Sequence, residues 1–193
     1  NILLIYNYYI YVINILLREL KMTNQMMPGE KTPSLVLNTL DNQEWSLEKN
    51  LNNNMTMIVF YRGLHCPICS DFLKLIESQL EDYKKANTNV IAVSMDSKEK
   101  AEKTKESWGL SNLNIAYDLS EEKAREWNLY ISRSIKEAES DVFCEPGLFI
   151  VKQDGSLYII NTSNMPFARP DISLLPSKLL FVQDKNYPVR GNK

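Results

Sequence analysis

One uncharged run, Met55-Thr56-Met57-Ile58-Val59-Phe60-Tyr61, constrains this chain more than any other stretch. A strand with one face in water alternates apolar and polar residues, whereas a continuous apolar run is the mark of a strand buried on both faces. Four residues later the chain reads Cys66-Pro67-Ile68-Cys69. Beyond that, Phe72, Leu73, Ile76, Leu80 and Tyr83 recur at helical spacing, with Lys74, Glu77, Glu81, Asp82 and Lys84 on the other side. A buried central strand running into one amphipathic helix requires a layered α/β fold.

The rest of the chain supplies the other layers. Ser34–Leu37 and Glu44–Leu47, separated by Asp41-Asn42-Gln43, predict an N-terminal β-hairpin, and Asn50–Asn54 a polar loop. Val90–Met95 predicts a second buried strand. Ser97 caps a helix reaching Trp108, with Gly109 placed to end it. Leu113–Tyr117 reads as a short strand, and Ser120 with Glu121 and Glu122 opens another helix. Leu148–Val151 and Leu157–Ile160 flank Gln153-Asp154-Gly155-Ser156, whose Asp-Gly step is the strongest hairpin signal in the chain. A last helix is expected from about Asp171 to Phe181, with Pro176 either in its first turns or breaking it. The expectation is a central mixed β-sheet flanked by helices, with right-handed crossovers between its parallel strands.

At 193 residues and 44% hydrophobic content the chain can bury one sizeable core. We assign that domain to residues 28–193 and set residues 1–27 apart as an apolar extension. Ile2–Leu17 is almost all Ile, Leu, Tyr, Val and Asn. It is short for a membrane span, is interrupted by Asn7 and Asn14, and lacks the basic start and small-residue cleavage site of a signal peptide. Three readings stay open: an upstream stretch translated by mistake, with Met22, Met26 or Met27 as the true start; a membrane anchor; or a soluble extension. A net charge of −2 without a basic stripe gives no reason to expect nucleic acid. A membrane is a partner only if residues 2–17 belong to the protein. Three cysteines are too few for a disulfide scaffold and suit a reducing compartment, so the expected location is cytoplasmic.

Chemistry concentrates at the CxxC. A strand that delivers Cys66 to the first turn of a helix aims its sulfur at unpaired N–H groups and the positive end of the helix dipole. Both lower a thiol's pKa, and the thiolate is the reactive species. Cys69 lies one helical turn on, where it can close a disulfide onto Cys66. The alternative is half a zinc site, but a tetrahedral site needs four ligands and only Cys144 and His65 remain. No cofactor is implied. His65 either holds the thiolate or moves a proton, or is simply a packed side chain. Arg62 either stabilises the sulfur or pairs with a carboxylate. Cys144 reads more readily as a small buried hydrophobe than as a third exchanging thiol.

Taken together, Val59–Cys69, Val90–Ser94, Pro146–Val151 with Asp154-Gly155, and Met165–Asp171 resemble the thioredoxin fold and, within it, the AhpC/TSA peroxiredoxin-like proteins. The resemblance spans about residues 28–190. It implies Cys66 as the attacking thiol and Cys69 as its resolving partner. The chain departs from the family pattern where Gly63 and Val59 replace a Thr and a Pro, and where Pro146 stands in place of an Arg. Thioredoxin-like proteins have a cis-proline at that last place, which makes Glu145–Pro146 a candidate cis bond facing the CxxC. Arg169, from the Met165–Asp171 stretch, is the candidate for the missing charge. Two activities are implied: reduction of hydroperoxides with an external thiol such as thioredoxin or glutathione, or disulfide exchange with protein or small thiols. A non-enzymatic redox-sensing module is the third reading.

Overall fold

The computed structural model describes residues 9–11, 13, 25–51 and 55–193. Most of the apolar extension, and residues 52–54 of the predicted polar loop, lie outside that set. Among the described residues no helix is long and apolar enough to cross a membrane.

The uncharged run forms β3 (Met55–Phe60), buried at all six positions. It lies parallel to β4 (Thr88–Val93), with Ile58 opposite Ile91, and antiparallel to β8 (Gly147–Val151), with Ile58 opposite Phe149. Around this centre are β1 (Val36–Thr39), β2 (Glu44–Ser46), β5 (Asn114–Tyr117) and β9 (Leu157–Thr162), giving the seven-stranded order β2-β1-β5-β4-β3-β8-β9. The sheet is mixed: β3-β4 and β4-β5 are parallel, and the other pairs are antiparallel. Both predicted hairpins form. At the β8-β9 turn Gly155 takes φ +79° and the Asp154 carboxylate accepts the Ser156 N–H at 2.9 Å.

Strand alternation divides the core. Met57, Val59 and Tyr61 pack on one face with Leu73, Ile76 and Tyr83. Those partners come from α2 (Pro67–Ser78) and α3 (Leu80–Lys85). Ile58 and Phe60 pack on the other face with Trp127, Phe149 and Leu47, the last from α1 (Leu47–Asn50). The single helix expected after the CxxC is therefore two, broken at Gln79 (φ −106°, ψ 2°), whose side chain donates to the Ser173 carbonyl at 2.9 Å. The break keeps Ile76 and Tyr83 in the same core, so the apolar periodicity runs on through it unmarked.

α4 (Lys98–Trp108) begins at Ser97, whose hydroxyl accepts the Lys100 N–H, and ends at left-handed Gly109 (φ +68°). α5 (Glu121–Glu126) is capped by Ser120. α6 covers Leu175–Asp184, not Asp171 onward. Asp171 instead closes a turn by accepting the Ser173 N–H at 2.8 Å, and Pro176 then sits in the helix's first turn, where its missing N–H costs nothing. Unexpected elements are α1, where the hairpin strand was expected to reach Leu47, and a ribbon of β6 (Ile131–Arg133) and β7 (Val142–Cys144), three residues a strand. The ribbon carries the segment that enters β8.

Candidate active site

β3 and β4 end side by side, Tyr61 N–H bonding the Val93 carbonyl at 3.0 Å, and the chain then turns at Gly63. Gly63 sits at φ +131°, and a Cβ there would lie 2.6 and 2.7 Å from the oxygens of Asp96. Only glycine fits both the backbone and the space. The buried Asp96 carboxylate accepts the Leu64 N–H and the Ser140 hydroxyl, each at 2.8 Å. Asp96 thus fastens the loop ahead of Cys66 to the loop ahead of β7.

Cys66 is the N-cap of α2, with extended backbone (φ −103°, ψ 100°) and Pro67 next, a residue whose fixed φ suits a helix's first position. Its Sγ accepts the Cys69 N–H at 3.2 Å. A sulfur held there faces the amide end of the helix, which favours its anionic form. Cys66 and Cys69 are joined as a disulfide, their Cα atoms 5.2 Å apart. Both are buried, Cys66 1% and Cys69 0% exposed.

Each remaining residue singled out in the sequence has a definite place. Arg62 turns to carboxylates, 3.3 Å from Glu145 and 3.5 Å from Glu139, with its guanidinium 4.7 Å from the centre of the Phe143 ring. His65 packs on the same Phe143 at 4.8 Å. Burial, with the Arg62 charge adding to it, holds the His65 imidazole below its usual pKa and so favours the neutral ring. Arg169 reaches the disulfide from far along the chain: its Nη2 lies 3.2 Å from Cys69 Sγ and its guanidinium 4.8 Å from the Phe72 ring centre. Pro146 is buried beside Phe72 and Arg169 in a small crevice. The Glu145–Pro146 bond is trans, contrary to the expectation of a cis bond. In this geometry Glu145 N–H bonds the Tyr130 carbonyl at 2.8 Å while its carboxylate meets Arg62, and Pro146 stands just ahead of β8, where a missing N–H breaks no ladder. Cys144 is buried, its thiol donating to the Tyr61 carbonyl at 3.6 Å, and burial pushes its pKa up to about 12. Among the described residues no three His, Cys, Asp or Glu side chains gather as a metal site.

Next to the disulfide runs an open groove of about 360 Å³. Ile68, Phe72, Leu75, Phe167 and Ile172 line it, with Arg169 toward the sulfurs and Asp71 and Asp171 also on its wall. Ile68 is 40% and Phe167 72% exposed, so apolar surface faces solvent beside the cysteine pair.

Sequence reasoning did not find Asp96, Glu139, Ser140 or Phe143, and it noted Glu145 only for its bond to Pro146. One signal existed for Asp96: it follows the carboxyl end of β4 as Cys66 follows that of β3, and open α/β sheets place their functional groups at that edge.

A family model described as "AhpC/TSA family" matches residues 28–160, more than half of the chain. A relative in two Mycobacterium tuberculosis strains, whose name reads "Putative peroxiredoxin", is 23% identical over 159 residues, covering 79% of this chain and 98% of its own. Among solved structures, the peroxidoxin BcpB of M. tuberculosis superposes with a TM-score of 0.66 at 13% identity, over 85% of this chain and all of that one. A cysteine-to-serine mutant of the peroxiredoxin 6 of Arenicola marina gives 0.70 at 17% identity, over 84% of this chain and 76% of that one. These likenesses agree with the mixed sheet flanked by helices described above.

Proposed function

We propose, because this chain belongs to the AhpC/TSA family of peroxiredoxin-like thiol oxidoreductases, that it is a thiol peroxidase working through Cys66 and Cys69. The observation that carries the reading is the place of Cys66, at the amino end of α2 with its sulfur on the Cys69 N–H and within bonding reach of Cys69. In the cycle we infer, the Cys66 thiolate attacks the distal oxygen of a hydroperoxide. The O–O bond breaks, Cys66 becomes a sulfenic acid, and the alkoxide leaves and takes a proton. Cys69 then attacks the sulfenic sulfur, expelling water and closing the disulfide. Two thiols of an external reductant, of the thioredoxin or glutathione kind, return both cysteines to the reduced state and leave joined to each other. The apolar groove beside the pair is the proposed approach for an organic hydroperoxide or for the reductant.

A second reading, thiol–disulfide exchange, is favoured by a specific observation. The family's peroxide-loop Thr is replaced by Gly63, and the space beside it is filled by the Asp96 carboxylate. In this reading Cys66 forms the mixed disulfide and Cys69 resolves it.

The test is to mix the reduced chain with a stoichiometric alkyl hydroperoxide. Oxidation is followed by stopped-flow fluorescence and the product by mass spectrometry, for the wild type, Cys66→Ser and Cys69→Ser. The peroxidase reading expects fast closure of the Cys66–Cys69 disulfide and a trapped sulfenic acid in Cys69→Ser. Oxidation no faster than that of free cysteine removes it and leaves disulfide exchange.

A further inference from the structure

Arg169 is a half-buried cation that pairs with no carboxylate among the described residues. Its Nη1 is buried with no hydrogen-bond partner, and among the described residues no carboxylate lies within ion-pairing distance of it. Its contacts are the Phe72 ring, the crevice wall and, through Nη2, Cys69 Sγ at 3.2 Å. Burial draws the guanidinium pKa down to about 10, the mark of a charge short of compensation. The other charged or titratable groups acting on it are Cys144, Glu145 and Arg62. Cys144 is held neutral near pH 7, and Glu145 and Arg62 pair with each other at 3.3 Å. A buried, unpartnered guanidinium nitrogen of this kind favours a nearby anion. In the disulfide, Cys69 offers only a neutral sulfur. Once the disulfide is reduced, its sulfur is able to carry a negative charge.

We propose that Arg169 is a catalytic residue of the reductive half-cycle, its guanidinium stabilising the Cys69 thiolate so that an incoming thiol attacks Cys66 and expels Cys69. The inference rests on the dithiol–disulfide cycle proposed above. In the step, the thiolate of an external dithiol attacks Cys66 Sγ and a mixed disulfide forms. The Cys66–Cys69 bond breaks and its electron pair leaves on Cys69 Sγ, against Arg169. The reductant's second thiol gives its proton to water and displaces the Cys66 thiolate, so the reductant departs oxidised and the protein reduced. The two sulfurs have different supports: Cys66 the amide end of α2, Cys69 a guanidinium from a remote loop.

The experiment titrates the ultraviolet thiolate absorbance of the reduced Cys66→Ser chain, alone and combined with Arg169→Gln or Arg169→Lys. An opposite charge this close lowers a pKa by about one to three units, so in the Cys66→Ser chain the Cys69 thiol is expected to titrate at least about one unit lower with Arg169 than with Gln at that position. Arg169→Gln removes the shift, and Arg169→Lys keeps part of it. In the otherwise wild-type chain, at a pH above the Cys69 pKa of both proteins, Arg169→Gln moves the equilibrium with a glutathione redox buffer toward the disulfide by about tenfold, or about 30 mV, for each pKa unit lost. Glutathione trapped on the oxidised wild type maps to Cys66. An unmoved Cys69 titration in folded Arg169→Gln, or glutathione trapped on Cys69, overturns the inference. None of these measurements contains peroxide, so a chain that fails as a peroxidase still tests Arg169. A shifted titration beside slow peroxide oxidation rejects the peroxidase reading alone.

Discussion

Replacing Gly147 with alanine tests the packing that holds Pro146 and the crevice wall in place. Gly147 opens β8, opposite Phe60. A methyl there would lie 2.5 Å from Leu129 Cδ2 and 2.8 Å from Phe149 Cε2, where carbon atoms normally rest about 3.5–4.0 Å apart. Leu129, in the core at 5% exposure, meets the methyl with the tip of a rotatable side chain and so has some freedom to yield. Phe149 has none: its ring meets Phe60 at 5.5 Å and Trp127 at 5.1 Å, both edge-on. The overlap therefore falls on an immobile ring, and overpacking of this kind costs about 1–3 kcal/mol. For a chain of this length that lowers Tm by about 2–12 °C, at about 2–4 °C per kcal/mol. Leu129→Ala alone costs about 2–5 kcal/mol through the cavity it leaves, yet that cavity receives part of the new methyl. The double variant is expected to be more stable than the sum of the two losses by about 1 kcal/mol or more. Urea unfolding of the four proteins, all fully oxidised, measures this. The reasoning fails if Gly147→Ala stays within about 0.5 kcal/mol of wild type, or if the two losses add to within that margin.

Three further outcomes are expected. Cys144, its thiol pKa pushed up to about 12, resists iodoacetamide in the folded chain near pH 8 and reacts once urea unfolds it. Because its folded pKa lies above the unfolded value near 9, its contribution to stability is complete below about pH 9 and is lost as pH rises toward about 12. Cys144→Ala should flatten that alkaline decline, and an unchanged slope in urea titrations would contradict the assignment. Asp96→Ala strands the Leu64 N–H and the Ser140 hydroxyl, so it costs about 1–3 kcal/mol and speeds hydrogen exchange at Leu64; no change at that amide rejects the fastening role. His65→Phe keeps the contact on Phe143 and removes a ring already disposed to be neutral, so oxidation near pH 7 should stay within about threefold of wild type, whereas a loss of tenfold or more would make His65 a participant.

What the sequence made legible was local. Met55–Phe60 announces itself because burial on both faces demands apolar residues at successive positions. The ends of α4 are visible in Ser97 and Gly109, and the β8-β9 turn in Asp154-Gly155, because caps and turns are chemistry between near neighbours. The β6-β7 ribbon was invisible: three residues a strand give no period to read. Within the site, the CxxC was legible from its place between strand and helix. Arg169 drew notice only through the Met165–Asp171 resemblance, since its contact with Cys69 spans 100 residues. Asp96 meets Leu64 across 32 residues and Ser140 across 44, separations that only the folded sheet closes. The Glu145 carboxylate likewise meets a residue far along the chain, Arg62, at 3.3 Å.

The close approach of Gly63 to Asp96 also bears on how such a loop can diverge. Any side chain entering position 63 collides with the carboxylate, and removing the carboxylate first frees the backbone that presents Cys66. A chain carrying this pair cannot take a threonine at position 63 by a single substitution without that collision. Each order of two steps passes through a weakened intermediate. Positions 63 and 96 are in this sense one feature written in two places, and what the fold tolerates at either is conditional on the other.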